Sequence, residues 1–198
     1  PTTVKSIGIV GTGTQARMQL EMLKNVVDCD SCFIWGRDED KVQTMIADLL
    51  SRDAIKSWGL RIERAASIEE LTANCNLIVT TTPSEKALLK ANDIQPGTHI
   101  TAVGSDTASK QELESELLNK ADLVIADSIP QSKNRGEIFR AIKDGLLSDE
   151  KVVELGTAIQ NPSLQRFNDN QISIVDLTGV AVQDIMIASA VYRNYLKN

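Results

Sequence analysis

Short apolar runs alternate with amphipathic stretches along most of the 198 residues. Ser6–Val10 has the length and apolar character of a buried strand, and Thr14–Val27 follows with helical spacing. Cys32–Trp35 reads as a second strand, before a helix that places Val42, Met45, Ile46, Leu49 and Leu50 on one face. A third strand is expected around Arg61–Arg64, and Ser67-x-x-Glu70 supplies a capping box for a short helix through Asn74. Leu77–Thr81, ended by Pro83, is the fourth strand, and Pro96-Gly97 turns the chain into the fifth, Ile100–Val103. A helix over Lys110–Asn119 and a sixth strand, Leu123–Ala126, come next, with Asp127 at the strand's end. Lys133–Glu154 reads as helical, broken at Gly145 and capped again at Ser148. Gln171–Asp176 is a late strand, and Thr178-Gly179 leads into a terminal helix ending near Leu196. This alternation predicts an α/β fold, a doubly wound parallel sheet with helices on both faces, and residues 1–198 as one domain.

The first strand runs straight into Gly11-Thr12-Gly13-Thr14-Gln15-Ala16, a Gly-x-Gly-x-x-Ala turn that opens a helix. Gly11 suits the tight turn, Gly13 admits backbone close to a pyrophosphate, and Ala16 lets helix pack on strand. The free N–H groups of the helix start then face the anion. Such a motif between strand and helix marks the sheet as Rossmann-type and predicts a dinucleotide cofactor. Open sheets of this type bind ligands beyond the C-terminal strand ends. The residues expected there are Gly11–Ala16, Gly36-Arg37, Thr80-Thr81-Thr82, Val103-Gly104-Ser105-Asp106, Asp127 and Thr178-Gly179.

The second strand bears on which cofactor binds. A site selective for NAD usually ends that strand in an acid that binds the ribose hydroxyls. Here it ends Ile34-Trp35-Gly36-Arg37, with no acid before Asp38. Arg37 is suited to a 2′-phosphate and to stacking on adenine, which favours NADP. Asp38 keeps NAD open, and a solvated loop arginine is the alternative role for Arg37.

Composition narrows the classes. The net charge of −6, with no basic stripe, argues against a nucleic-acid or anionic-membrane surface. The most apolar stretch, Ile172 to Tyr192, contains Asp176 and Asp184, which argues against a membrane span. No signal-peptide pattern opens the chain, and the reading is of a cytoplasmic protein. Cys29 and Cys32 form a C-x-x-C that approaches a strand rather than starting a helix. Reduced, partly buried thiols therefore outweigh a redox or metal role, and no metal is expected. His99, the single histidine, falls in a strand and is read as structural.

With these positions assembled, the chain resembles the ornithine cyclodeaminase/mu-crystallin family. The resemblance rests on Gly11–Ala16, Trp35-Gly36-Arg37, Ala102–Asp106 followed by Lys110-Gln111-Glu112-Leu113, Gly136-Glu137, Glu154-Leu155-Gly156 and Asp176–Asp184. It implies an NAD(P)-dependent oxidoreductase acting on the C–N bond of a small amino acid or cyclic imine. Cyclodeaminases, alanine dehydrogenases and ketimine reductases such as those of pyrroline-2-carboxylate are the relevant types. It also implies that Asp106 takes part in proton transfer; capping a helix at Lys110 is its alternative role. Thr178-Gly179 is expected against the nicotinamide carboxamide. Gln183 and Asp184, and likewise Lys133, Asn134, Arg135 and Glu137, line the cleft or lie on solvated helix surface. Family members carry a preceding region, with a short return from the C-terminus, that holds the substrate carboxylate and forms a homodimer. The chain begins at the threshold of its first strand, so the expectation is a fragment that binds cofactor and catalyses poorly or not at all. A non-catalytic, NADP-dependent binding module of mu-crystallin type is the alternative.

Overall fold

The computed structural model describes residues 1–197. Strand β1 (Ile7–Val10) leads to helix α1 (Thr14–Leu23), and β2 (Ser31–Trp35) leads to α2 (Glu39–Ser51) and the short α3 (Asp53–Trp58). Then come β3 (Arg61–Arg64), α4 (Ile68–Asn74), β4 (Leu77–Thr80) and β5 (His99–Ala102). The second half holds α5 (Ser115–Lys120), β6 (Leu123–Ala126), α6 (Ile129–Ser132), α7 (Gly136–Lys143), β7 (Val152–Glu154), α8 (Leu155–Gln160), β8 (Ser173–Asp176) and α9 (Ala181–Tyr195). The strands form one sheet in the order β3-β2-β1-β4-β5-β8-β6-β7. Every pairing in it is parallel.

Alternation along the strands explains the layers. Ile7, Ile9, Leu77 and Val79 face one side, where α1, α2 and α3 cover them through Leu20, Val42, Met45, Leu49 and Ile55. Ile78, Ile100, Val124 and Ile174 face the other, against Leu71 of α4, Leu117 and Leu118 of α5 and Ile138 of α7. Strands β1 and β4 are buried at all positions, as inner parallel strands should be, whereas β3 at the edge is largely exposed. The capping box forms: Ser67 Oγ accepts from the Glu70 N–H at 3.1 Å. No helix among the described residues is long and apolar enough to cross a membrane.

Two segments depart from the periodicity. The helix expected over Lys110–Asn119 begins only at Ser115. Residues 111–114 are held instead by main-chain hydrogen bonds to residues 84–89, with Leu113 bridging Leu89, and by a distant side chain. The Glu112 and Leu113 N–H groups donate to the Glu137 carboxylate at 2.7 and 3.1 Å. Lys133–Glu154 is not one broken helix either. A cap at Ser148 does start a turn, but Val152–Glu154 then becomes β7, paired with β6. Three residues are too few for the hydrophobic period to tell strand from helix.

Candidate functional site

The register of the sheet builds the site. Val10 lies level with Trp35 and Thr80, Thr80 with Ala102, and Ala102 with Asp176. Asp176 is level with Ala126. The residues that follow each strand therefore share one rim, and the order of strands reverses at β1, which puts a crevice between the ends of β1 and β4. A cleft of about 310 Å³ opens there, lined by Gly11, Thr12, Gly13, Gly36, Arg37, Thr81, Thr82 and their neighbours. A second hollow of about 200 Å³ adjoins it through Thr81, Thr82 and Pro83, and adds Gln15, Val103, Gly104, Asp106 and Lys110. A larger cavity of about 490 Å³ lies at the opposite strand ends, beside His99, Leu123 and Ser173, away from the strand-order switch. Its Arg166 donates to the Gly97 carbonyl at 3.1 Å and to Ser173 Oγ at 3.0 Å.

The glycine turn fits a dinucleotide. Gly11 has φ +122, and a Cβ there would stand 2.5 Å from Thr81 Oγ1, so strain and space both require glycine. At Gly13 a Cβ would meet nothing within 4 Å, which leaves open space beside the start of α1. No side chain caps α1, so its first N–H groups are available to an anion. Ala16 is fully buried, as close helix–strand packing demands.

At the end of β2, Arg37 and Lys41 both line the cleft. Asp38, the first acid after β2, caps α2: its carboxylate accepts from the Lys41 N–H at 3.1 Å and pairs with Lys41 Nζ at 3.5 Å. That backbone hydrogen bond also holds the Asp38 carboxyl below its ordinary range.

Asp106 sits in the turn after β5, and no helix starts at Lys110 for it to cap. Its carboxylate pairs with Lys110 Nζ at 2.6 Å on the wall of the second hollow. Ser105 is buried and donates to the Lys110 carbonyl at 2.9 Å, which closes the loop behind that pair. Asp127 does more than end β6. It accepts from Thr178 Oγ1 at 3.1 Å and from the Gly179 N–H at 2.8 Å, fixing the turn in which Gly179 takes φ +82. Gln183 and Asp184 are exposed, as are Lys133 and Asn134.

Glu137 is not solvated helix surface. Glu112, Glu137 and Asp176 are all fully buried. Glu112 accepts from Thr80 Oγ1 at 2.7 Å, from the Thr82 N–H at 2.5 Å and hydroxyl at 2.7 Å, and from the Gly104 N–H at 2.8 Å. Glu137 takes the N–H groups of residues 112 and 113, and Asp176 takes the Ile138 N–H at 2.9 Å. Burial raises all three carboxyls, Glu137 to about 8 and Asp176 to about 7. Glu137, expected to line the cleft or lie on solvated helix surface, does neither; for Glu112 and Asp176 the sequence carried no signal of burial beyond their place in the family-like motifs.

His99 lies in β5 with Nδ1 2.8 Å from Ser173 Oγ, and burial lowers its pKa to about 4. Cys29, Cys32 and Cys75 are buried free thiols, and burial pushes Cys75 up to about 12, far from a reactive thiolate. Among the described residues no cluster of His, Cys, Asp and Glu could hold a metal ion.

The model of the ornithine cyclodeaminase/mu-crystallin family matches residues 1–198. The chain belongs to this family. It is 36% identical over 190 residues to an alanine dehydrogenase of Archaeoglobus fulgidus, covering 96% of the chain and 56% of that protein. The fold matches the iminosuccinate reductase of Paracoccus denitrificans in complex with NAD+ at a TM-score of 0.86 and 32% identity, over 98% of this chain and 57% of that one. An archaeal alanine dehydrogenase dimer with bound NAD superposes at 0.88 and 33% identity, over 100% and 59%. The chain thus spans little more than half the length of these relatives.

Proposed function

We propose that the chain is the nucleotide-binding portion of an NAD(P)-dependent oxidoreductase acting at the C–N bond of a small amino acid or cyclic imine. The observation that carries this reading is the rim: an uncapped α1 with open space at Gly13, continuous with a hollow walled by Gly104 and the Asp106–Lys110 pair. Family membership and the two NAD-bound relatives support it. When bound, the nicotinamide supplies hydride exchange with the carbon of the C–N bond. The chain's residues do the rest. Gly11 to Ala16 hold the pyrophosphate, Gly36 and Arg37 the adenosine ribose, and Thr81, Thr82, Val103 and Gly104 the walls of the cleft, with Ser105 buried behind them. Thr178 and Gly179 face the carboxamide. Asp106 accepts a proton from the substrate nitrogen on oxidation and returns it on reduction, with Lys110 orienting its carboxylate.

NADP is the favoured cofactor in this reading, because Arg37 and Lys41 line the cleft while Asp38 is engaged at the start of α2. The small-molecule substrate and assembly as a homodimer belong to the same proposal, the latter after the archaeal alanine dehydrogenase dimer. The test is the full-length protein assayed by reduced-nicotinamide absorbance, with NADPH and pyrroline-2-carboxylate or piperideine-2-carboxylate and with NAD and ornithine or alanine. Turnover of one pair that is lost in Asp106→Asn supports the proposal. Cofactor binding with no turnover of any pair, unchanged in Asp106→Asn, would establish a binding module of mu-crystallin type instead. That second reading draws on the same ion pair, which occupies one oxygen of the Asp106 carboxylate.

A further inference from the structure

We propose that Glu112 is a positioning residue that fixes the nicotinamide half of the cleft by stitching together the ends of β4 and β5. This rests on the cofactor reading above and adds to it a buried group that touches neither cofactor nor substrate. Four donors converge on the Glu112 carboxylate, three from the end of β4 (the Thr80 and Thr82 hydroxyls and the Thr82 N–H) and one from β5, the Gly104 N–H. Past the ends of β4 and β5 the two chains stay in contact, and Gly104 lies so close to Thr82 that a Cβ would stand 2.2 Å from the Thr82 carbonyl oxygen. The turn that carries Asp106 starts from that contact. Arg140 braces its far end by donating to the Ser109 carbonyl at 2.8 Å.

Glu112 is itself held in place. Its carbonyl accepts from the Leu88 and Leu89 N–H groups, and Glu137, in the first turn of α7, accepts from the N–H groups of Glu112 and Leu113. Asp176, at the end of β8, anchors that same turn through the Ile138 N–H. A line of carboxylates thus runs from the middle of the sheet to the cleft wall. With both oxygens of Glu112 receiving donors, an amide in its place would turn an N–H₂ group against at least one N–H or O–H. The wall around Gly104 would then move, and the Arg37 end, which Glu112 does not contact, would not.

The experiment measures calorimetric affinity of the 198-residue chain for two probes, NADPH and 2′,5′-ADP, the second lacking the nicotinamide half. Glu112→Gln is expected to weaken NADPH about tenfold or more and 2′,5′-ADP less than about threefold, the size of effect that loss of one or two buried hydrogen bonds gives. Thr80→Val removes one donor to Glu112 isosterically, away from the cleft, and carries the test if the glutamine variant does not fold. It should show the same selectivity with a smaller loss. Equal losses for both probes would make Glu112 merely structural, and no loss for either would remove its role; each overturns the proposal. Failure of the unsubstituted chain to bind either probe would instead overturn the cofactor reading on which it stands.

Discussion

At the scale of single residues, charge placement at the end of β2 is the most testable feature. A guanidinium on a 2′-phosphate contributes a charge-assisted contact of about 1.5–3 kcal/mol. Arg37→Ala should therefore weaken NADPH by roughly ten- to a hundredfold and leave NADH nearly unchanged, as titration of both cofactors would read. Lys41→Ala should give the same sign with a smaller effect, since its ammonium also pairs with Asp38. Equal losses for both cofactors would make Arg37 a loop arginine. A second residue-scale outcome concerns Gly11. Gly11→Ala meets both a φ of +122 and the Thr81 hydroxyl, so it should lose about 1–3 kcal/mol of stability, measured by urea unfolding, and nucleotide binding with it.

Among the elements, what was legible in the sequence divides by the kind of force involved. Strands β1, β2 and β4, α1 and the capped α4 were readable because local apolar periodicity and caps specify them. The stretch at 110–114 was not, because its partners are distant along the chain: the main chain of residues 84–89 and the Glu137 carboxylate, some 25 residues away. The rim was likewise legible as a row of small and hydroxylated residues, whereas the buried acids behind it look like any exposed glutamate in one dimension. Those acids carry a prediction of their own. Glu137 and Asp176 keep protons in the folded state, at about 8 and about 7, that they shed in the unfolded chain near 4. The folded state then binds more protons, so stability falls as pH rises towards 8. His99, lowered to about 4, acts oppositely but only below its unfolded value near 6.5. Between pH 6.5 and 8.5 the melting temperature should therefore decline, with each acid contributing at most about 1.4 kcal/mol per pH unit. Thermal scans of Glu137→Gln should show a shallower decline; an unchanged slope would remove Glu137 as a source.

For the molecule as a whole, α9 gathers the densest run of exposed apolar side chains among the described residues. Val182, Ile185, Met186, Ile187, Val191, Tyr192 and Tyr195 are each more than half exposed, on every side of the helix. A soluble monomer rarely leaves so continuous an apolar surface open. The 198-residue chain should self-associate at micromolar concentrations in sedimentation, and Ile187→Glu with Val191→Glu should return it to monomer without changing affinity for NADPH. A monomeric unsubstituted chain would show that α9 is soluble without a cover.

The clamp between Asp127 and the turn at Thr178 and Gly179 has a mechanical meaning. Helix α9 is a rod about 22 Å long, at about 1.5 Å per residue, mounted on a single left-handed glycine. Rotating such an arm by about ten degrees at its root carries the tip about 4 Å. One carboxylate just past the end of the neighbouring strand, gripping a hydroxyl and an N–H at the pivot, therefore sets the aim of the whole rod. Whatever leans on the distant end of α9 pushes, at a large mechanical advantage, on the turn that Asp127 grips.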